Sequence, residues 1–442
     1  MTLLAARPRV TRHPLRPELR RGFAPLAGGA VLLTLLVALA VPAETWQGGW
    51  AETRDRTHTA AVLLGIPLAV AAGCWQGGRE RRRRTGELME TAVRGPLPRF
   101  LASALPVALW VAAGHLAAAA LALLATWYCA TGDSPYVLVP LADTLVLGCA
   151  ALAGQVGGRV LPWRLTAPLL ATAAYVVLGT LSYDSRSALA PLSPLLETAS
   201  YQVPVWWQPM VMMAWVGGLA TAAVLALAAR RRATALVPLT AATAAAVLLV
   251  HTGDDGLVRT NPITLRQVCD TSTTPQICVN ARYEKLLPEV TEALSGLTGR
   301  LEGVRNVPVR FVDVPGRTGE DEVRLPMITP LGRSVVAGEL TDPRQYAWEA
   351  GMMLVGRSWC DRTDPVVGRT DRAVEHYLAP SPAEAHFDEI NAKGDKARRA
   401  EFKAQQQARA RLLGMSDEER RSWLSKYFAT ADQCDPGRVP TL

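Results

Sequence analysis

The chain has 442 residues, of which 49% are hydrophobic and only 19% charged, where a soluble domain carries about 25% charged residues. Its net charge of +8 is unevenly placed, with 21 Lys+Arg against 11 Asp+Glu through Gly253 and 26 against 28 beyond it. A wholly soluble enzyme is excluded, and because the basic excess lies in the hydrophobic half, nucleic acid is not an expected partner. The preference for Arg over Lys, with abundant Ala, Gly and Pro, suggests a GC-rich bacterial genome and hence a bacterial cell membrane.

Residues 1–21 form a basic N-terminus. Within 22–252 seven apolar stretches, 22–43, 58–77, 100–129, 136–158, 165–183, 209–229 and 234–252, reach the roughly 17–25 residues a helix needs to cross a bilayer. Helices are expected because lipid offers the backbone no hydrogen-bond partners. A cleaved leader ending near Val41-Pro42-Ala43 is the alternative for the first stretch, but such leaders have apolar cores of only about 7–15 residues.

Arginines set the orientation. Arg7, Arg9, Arg12, Arg16, Arg20 and Arg21 precede the first span, and Arg79, Arg81, Arg82, Arg83, Arg84, Arg94 and Arg99 separate the second from the third. Arg159 and Arg164 separate four from five, and Arg230, Arg231 and Arg232 separate six from seven. The other side has Arg54, Arg56 and Arg186, so 18 face 3 in strict alternation. The positive-inside rule then predicts a cytoplasmic N-terminus and an external C-terminal domain. Trp46, Trp50, Tyr128, Tyr136, Tyr183, Trp206 and Trp207 are expected at the outer interface, with Trp75 and Trp163 at the inner one.

The loop after the second span does more than mark topology. After the arginines comes a short helical pattern, Glu87-Leu88-Met89-Glu90-Thr91-Ala92-Val93, closed by Gly95 and Pro96. Glu80-Arg81, Thr85-Gly86, Glu87-Leu88, Thr91-Ala92 and Pro98-Arg99 together resemble the corresponding loop in permease subunits of type-2 ABC exporters. The resemblance covers roughly residues 20–230, and the seventh span and external tail depart from that family's six-span pattern. It implies a coupling helix near 80–95, with Glu80, Arg81, Arg84, Glu87, Leu88 and Glu90 contacting a separate ATPase subunit. It also likens the segment 184–208 to the family's short external helices. No Gly-x-x-x-x-Gly-Lys followed by Ser or Thr occurs, so this chain is expected to bind no cofactor and to be no enzyme itself. ATP and magnesium would bind the partner. The arginines of the loop are also suited to anionic lipid headgroups.

Two ionisable residues fall well inside spans rather than at their ends, His115 and Asp143, and such residues suggest a translocation path. The alternative is a hydrogen bond between helices. Cys74, Cys129 and Cys149 read as small packing residues.

From Asp254 to the end the pattern is that of a soluble, mostly helical α+β domain. An amphipathic helix is expected over 283–301, burying Tyr283, Leu286, Leu287, Val290, Leu294, Leu297 and Leu301. A strand is expected over 307–314, with Val309, Phe311 and Asp313 on one face, and a helix over 345–359. Capping boxes at Ser381 and Ser416 predict two closing helices, the second burying Trp423, Leu424, Tyr427 and Phe428. The four cysteines allow three pairings; Cys269–Cys278 and Cys360–Cys434 are the expected ones. A zinc site using His376, His386 and Asp388 lacks ligand spacing, so no metal and no catalytic residue is expected.

The fold class expected is therefore an α-helical polytopic membrane protein with seven spans and an external α+β domain over 254–442. The expected function is that of the permease in an ATP-driven exporter, a homodimer with an ABC-type ATPase, moving a substrate the sequence does not name. The alternative is a membrane sensor or scaffold with an external ligand-binding domain.

Overall fold

A computed structural model describes residues 19–20, 22–83, 95–161, 163–183, 187–195, 198–357, 360 and 364–442. It divides into two compact units. The first comprises Met1–Trp46, Trp50–Tyr128 and Pro135–Thr260, the second Gln47–Gly49, Cys129–Ser134 and Asn261–Leu442.

The first unit is helical. Its helices are α1 (Ala24–Ala40), α2 (Trp50–Gly77), α3 (Pro96–Cys129), α4 (Leu138–Val160), α5 (Thr166–Tyr183), α6 (Gln208–Ala228) and α7 (Leu236–Leu257). Among the described residues five helices, Trp50–Gly77, Pro96–Cys129, Leu138–Val160, Gln208–Ala228 and Arg232–Leu257, are long and apolar enough to cross a membrane, while Ala24–Ala40 and Thr166–Ser182 are apolar but shorter. Many of their large apolar side chains face outward, as at Leu33, Leu124 and Val247.

Glycine decides how closely the helices approach. A Cβ on Gly73 of α2 would lie 1.9 Å from the Ala151 carbonyl oxygen of α4, and one on Gly158 of α4 would lie 2.0 Å from that of Cys74. Such small-residue seams let backbones touch where lipid supplies no hydrophobic drive for association. Gly28 of α1 and Gly114 of α3 make a second crossing of the same kind.

Three features of this unit differ from the sequence-based expectation. First, α2 begins at Trp50 rather than 58 and runs through a π-helical turn at Ala61–Gly65. Its polar first turns are helical because Glu52 and Arg54 are buried in the bundle, at 8% and 6% exposure. Second, no short helix beyond a three-residue turn at Ala190–Leu192 appears among the described residues of 184–208. Instead β1 (Gln202–Pro204) pairs antiparallel with β2 (Val258–Thr260), which moves the unit boundary from Asp254 to Asn261. Third, Trp46 and Trp50 are buried, and the Trp46 indole donates to Leu39 O at 2.9 Å. Trp75, Trp163 and Trp206 are exposed, as interfacial rings would be.

In the second unit the strands β3 (Gln267–Asp270), β4 (Gln276–Asn280), β5 (Arg310–Val312) and β6 (Glu322–Arg324) form a mixed sheet in that order, with β3–β4 antiparallel and the others parallel. A small hairpin, β7 (Val335–Val336) and β8 (Glu339–Leu340), accompanies it. Helices α8 (Leu287–Leu301), α9 (Pro343–Val355), α10 (Pro365–Leu378), α11 (Glu384–Ala392), α12 (Lys396–Leu413) and α13 (Asp417–Phe428) complete the unit.

Val290, Leu294, Leu297 and Leu301 are buried on the expected face of α8, which starts at Leu287 rather than 283 because residues 281–286 form a 3-10 segment broken at Tyr283. Strand β5 departs from simple alternation: Phe311 and Val312, on opposite faces, are both buried, and Val309, before the strand begins, is exposed. The Ser416 capping box forms, and Leu424, Tyr427 and Phe428 are buried. Ser381 instead accepts from the Ala383 amide, and α11 starts uncapped at Glu384. Within this unit the Lys285 ammonium donates to Ala130 O at 2.8 Å, and the Thr131 amide to Gly48 O at 3.4 Å.

Candidate functional site

The polar heart of the first unit lies between α2 and α4. Asp143 is 4% exposed and sits less than two turns into α4. A carboxylate there needs a partner, since an unpaired charge away from water costs several kcal/mol. His58 of α2 supplies it, with Nδ1 at 2.9 and 3.0 Å from the two carboxylate oxygens.

One turn earlier on α2 stands a second ionic group. The Arg54 guanidinium donates to Asp55 at 2.8 Å and to Thr198 Oγ1 and Gln202 O, both at 3.1 Å. The Thr198 hydroxyl donates in turn to Asp55 at 2.9 Å. Residues 54, 55 and 58 share a side of α2 because positions four apart align on a helix. A cavity of about 30 Å³ lies among Arg54, Asp55, His58, Asp143 and Gln208, room for about two waters at the roughly 10–15 Å³ each requires. The arrangement can hold a proton between imidazole and carboxylate, with room for water beside the pair.

His115 is fully buried on α3, with Nδ1 2.9 Å from the Thr144 hydroxyl. The structure thus places the two intramembrane residues read from sequence at adjacent positions of α4, Asp143 directly and His115 through Thr144. The sequence reading missed His58, Arg54 and Asp55, counting Arg54 only as topology and His58 only as the start of a span. The available signal was the Arg-Asp-x-x-His spacing at the mouth of an apolar run.

At the arginine-rich end Glu80 and Arg81 lie on a single helical turn, Arg79–Arg82. Arg159 of α4 donates to Glu80 at 2.9 Å, and Arg81 donates to Arg159 O at 2.9 Å and Leu161 O at 3.1 Å. Arg81 therefore satisfies carbonyls that the end of α4 leaves open. Arg84, Glu87, Leu88 and Glu90, the rest of the expected coupling set, lie outside the described residues.

In the second unit the expected cysteine pairs stand at disulfide distance, Cys269–Cys278 at 2.07 Å and Cys360–Cys434 at 1.96 Å. The first spans a directly opposed pair of the β3–β4 ladder. A buried network joins α10 to α13: Arg357 pairs with Asp371 and donates to the Tyr427 hydroxyl at 3.1 Å, and that hydroxyl donates to Asp371 at 2.5 Å. Next to it Glu375 is pushed up to about 7, by burial and then by Asp371. Burial likewise pushes Asp313 up to about 6 against the pull of Asn280, Arg282 and Arg324.

Of the residues weighed for zinc, His376 and Asp388 line one groove, but each is engaged with other side chains. His376 faces Glu384 at 2.9 Å, Asp388 accepts from Gln406 at 3.1 Å, and His386 packs beside Phe387. Among the described residues no three His, Cys, Asp or Glu side chains converge as a metal site.

No known protein family matches the chain, and neither the curated proteins nor the solved structures include a match to it.

Proposed function

We propose that this chain is the membrane-spanning subunit of an ATP-driven ABC exporter of the type-2 class, with seven spans, acting in the bacterial cell membrane as a homodimer with a separate ATPase. The observation that carries this reading is the arginine-rich connection between α2 and α3. Its first residues are bonded to the end of α4, so a push on the connection would reach the tight α2–α4 crossing directly. In this reading the shorter apolar helices α1 and α5 cross as well, beside the five long ones. The disulfides of the second unit fit an oxidising, external side.

The test is affinity purification of the full chain from native membranes, with mass spectrometry and an ATPase assay on the eluate. A stoichiometric partner carrying a Walker A lysine is expected, and Glu87→Arg should lower ATP turnover about ten-fold, within the usual range of coupling between sites. A chain eluting without an ATPase would overturn the proposal. The sensor reading would then stand, with the groove between Arg344, His376, Glu384, Asp388 and Arg409 of the second unit as the place to seek a ligand.

A further inference from the structure

At the arginine-rich end of the first unit, α2, α4 and α5 leave a recess whose walls include Trp75, Arg81, Arg82, Leu161, Trp163 and Arg164. Two of its three guanidiniums are held in place. Arg81 is fixed by the carbonyls at the end of α4, and Arg82 lies 4.1 Å over the Trp75 ring while donating to Trp75 O at 2.5 Å. A guanidinium carries five N–H donors, so these bonds leave several for a ligand. Arg164 stands exposed at the rim. The first turn of α5, at Thr166 and Ala167, forms a further wall and adds the partial positive charge of a helix N-terminus. Glu80 does not line the recess and is turned to Arg159.

Exposed apolar side chains stand among these cations: Trp75 is 47% exposed, Leu161 46% and Trp163 74%. Cationic donors side by side with exposed apolar side chains match an amphiphile, a phosphodiester head followed by acyl chains, better than a free anion.

We propose that this recess binds the phosphodiester headgroup of an anionic phospholipid through Arg81, Arg82 and Arg164, with Trp75 and Trp163 flanking the start of its acyl chains. The site does not depend on the transporter reading.

The full chain in detergent–phosphatidylcholine micelles, titrated with brominated phosphatidylglycerol, tests it through quenching of tryptophan fluorescence. Saturable quenching is expected, much weaker with brominated phosphatidylcholine and lost in part in Trp163→Phe. Each arginine changed to Gln should weaken it about five-fold, and millimolar inorganic phosphate should not displace the lipid. Arg164→Gln alone keeps the carbonyl bonds of Arg81 and Arg82, so it decides the matter if the triple variant does not fold. Equal quenching by both lipids, or quenching indifferent to Arg164→Gln, would overturn the proposal. Displacement by inorganic phosphate would assign the recess to a soluble anion instead.

Discussion

His58 and Asp143, 2.9 Å apart, illustrate what single residues do in this protein: each removes the other's need for water. Replacing either one breaks this buried bond, which costs about 1–3 kcal/mol. Replacing both with Leu should therefore cost less than the two single changes added. Thermal melting of the purified chain across the four-variant cycle checks this, and strict additivity would show that the two groups are not coupled. In the second unit the carboxyls of Asp313 and Glu375 set a pH dependence. Their folded values, about 6 and about 7, exceed the ordinary values near 4. Between about pH 4 and those values the folded state holds protons that the unfolded state has released, so stability falls as pH rises through the window and levels off above it. Asp313→Asn and Glu375→Gln should each flatten that slope in melts from about pH 4 to about pH 8. An unchanged slope would mean that neither carboxyl is shifted.

At the scale of elements, backbone contact at glycine sets the α2–α4 packing. Gly73→Leu or Gly158→Leu would push apart backbones that a single Cβ already overlaps, whereas Gly29→Ala meets nothing within 4 Å. The first two variants should lose most monodisperse protein in size-exclusion chromatography after extraction, while Gly29→Ala retains it. Element identity was mostly legible in the chain: the apolar runs became helices, and of the 3.6-residue pattern over 283–301 the part from Leu287 became α8 with its buried leucines, while residues 283–286 belong to a 3-10 segment. Helix starts were less so. The start of α2 could not be read because Arg54 and Asp55 look like loop residues until Thr198 and Gln202, far along the chain, are seen to meet them. The two-sided burial of β5, at Phe311 and Val312, was hidden as well, since what covers each face of a sheet comes from elsewhere in the chain.

For the whole molecule, the disulfides of the second unit differ in reach. Cys269–Cys278 closes a separation of 9 residues and Cys360–Cys434 one of 74. Loop-closure entropy grows with the logarithm of length, giving about 3 and about 4–5 kcal/mol respectively. Cys360→Ser with Cys434→Ser should therefore lower the melting temperature of the second unit more than Cys269→Ser with Cys278→Ser. The reverse order would mean that local strand pairing outweighs the long tether.

The sequence by itself determined the apolar helical half, its alternating arginine sides and the more polar C-terminal half, because these rest on composition and local periodicity, whereas the choice among three cysteine pairings came from the structure. Tertiary structure alone decided that Asp143 meets His58, that Arg54 is buried rather than a topology marker, and that Glu80 and Arg81 are tied to α4. Those outcomes depend on which remote side chain occupies the facing position. Burial free energy is settled there, and no local pattern in the chain records it.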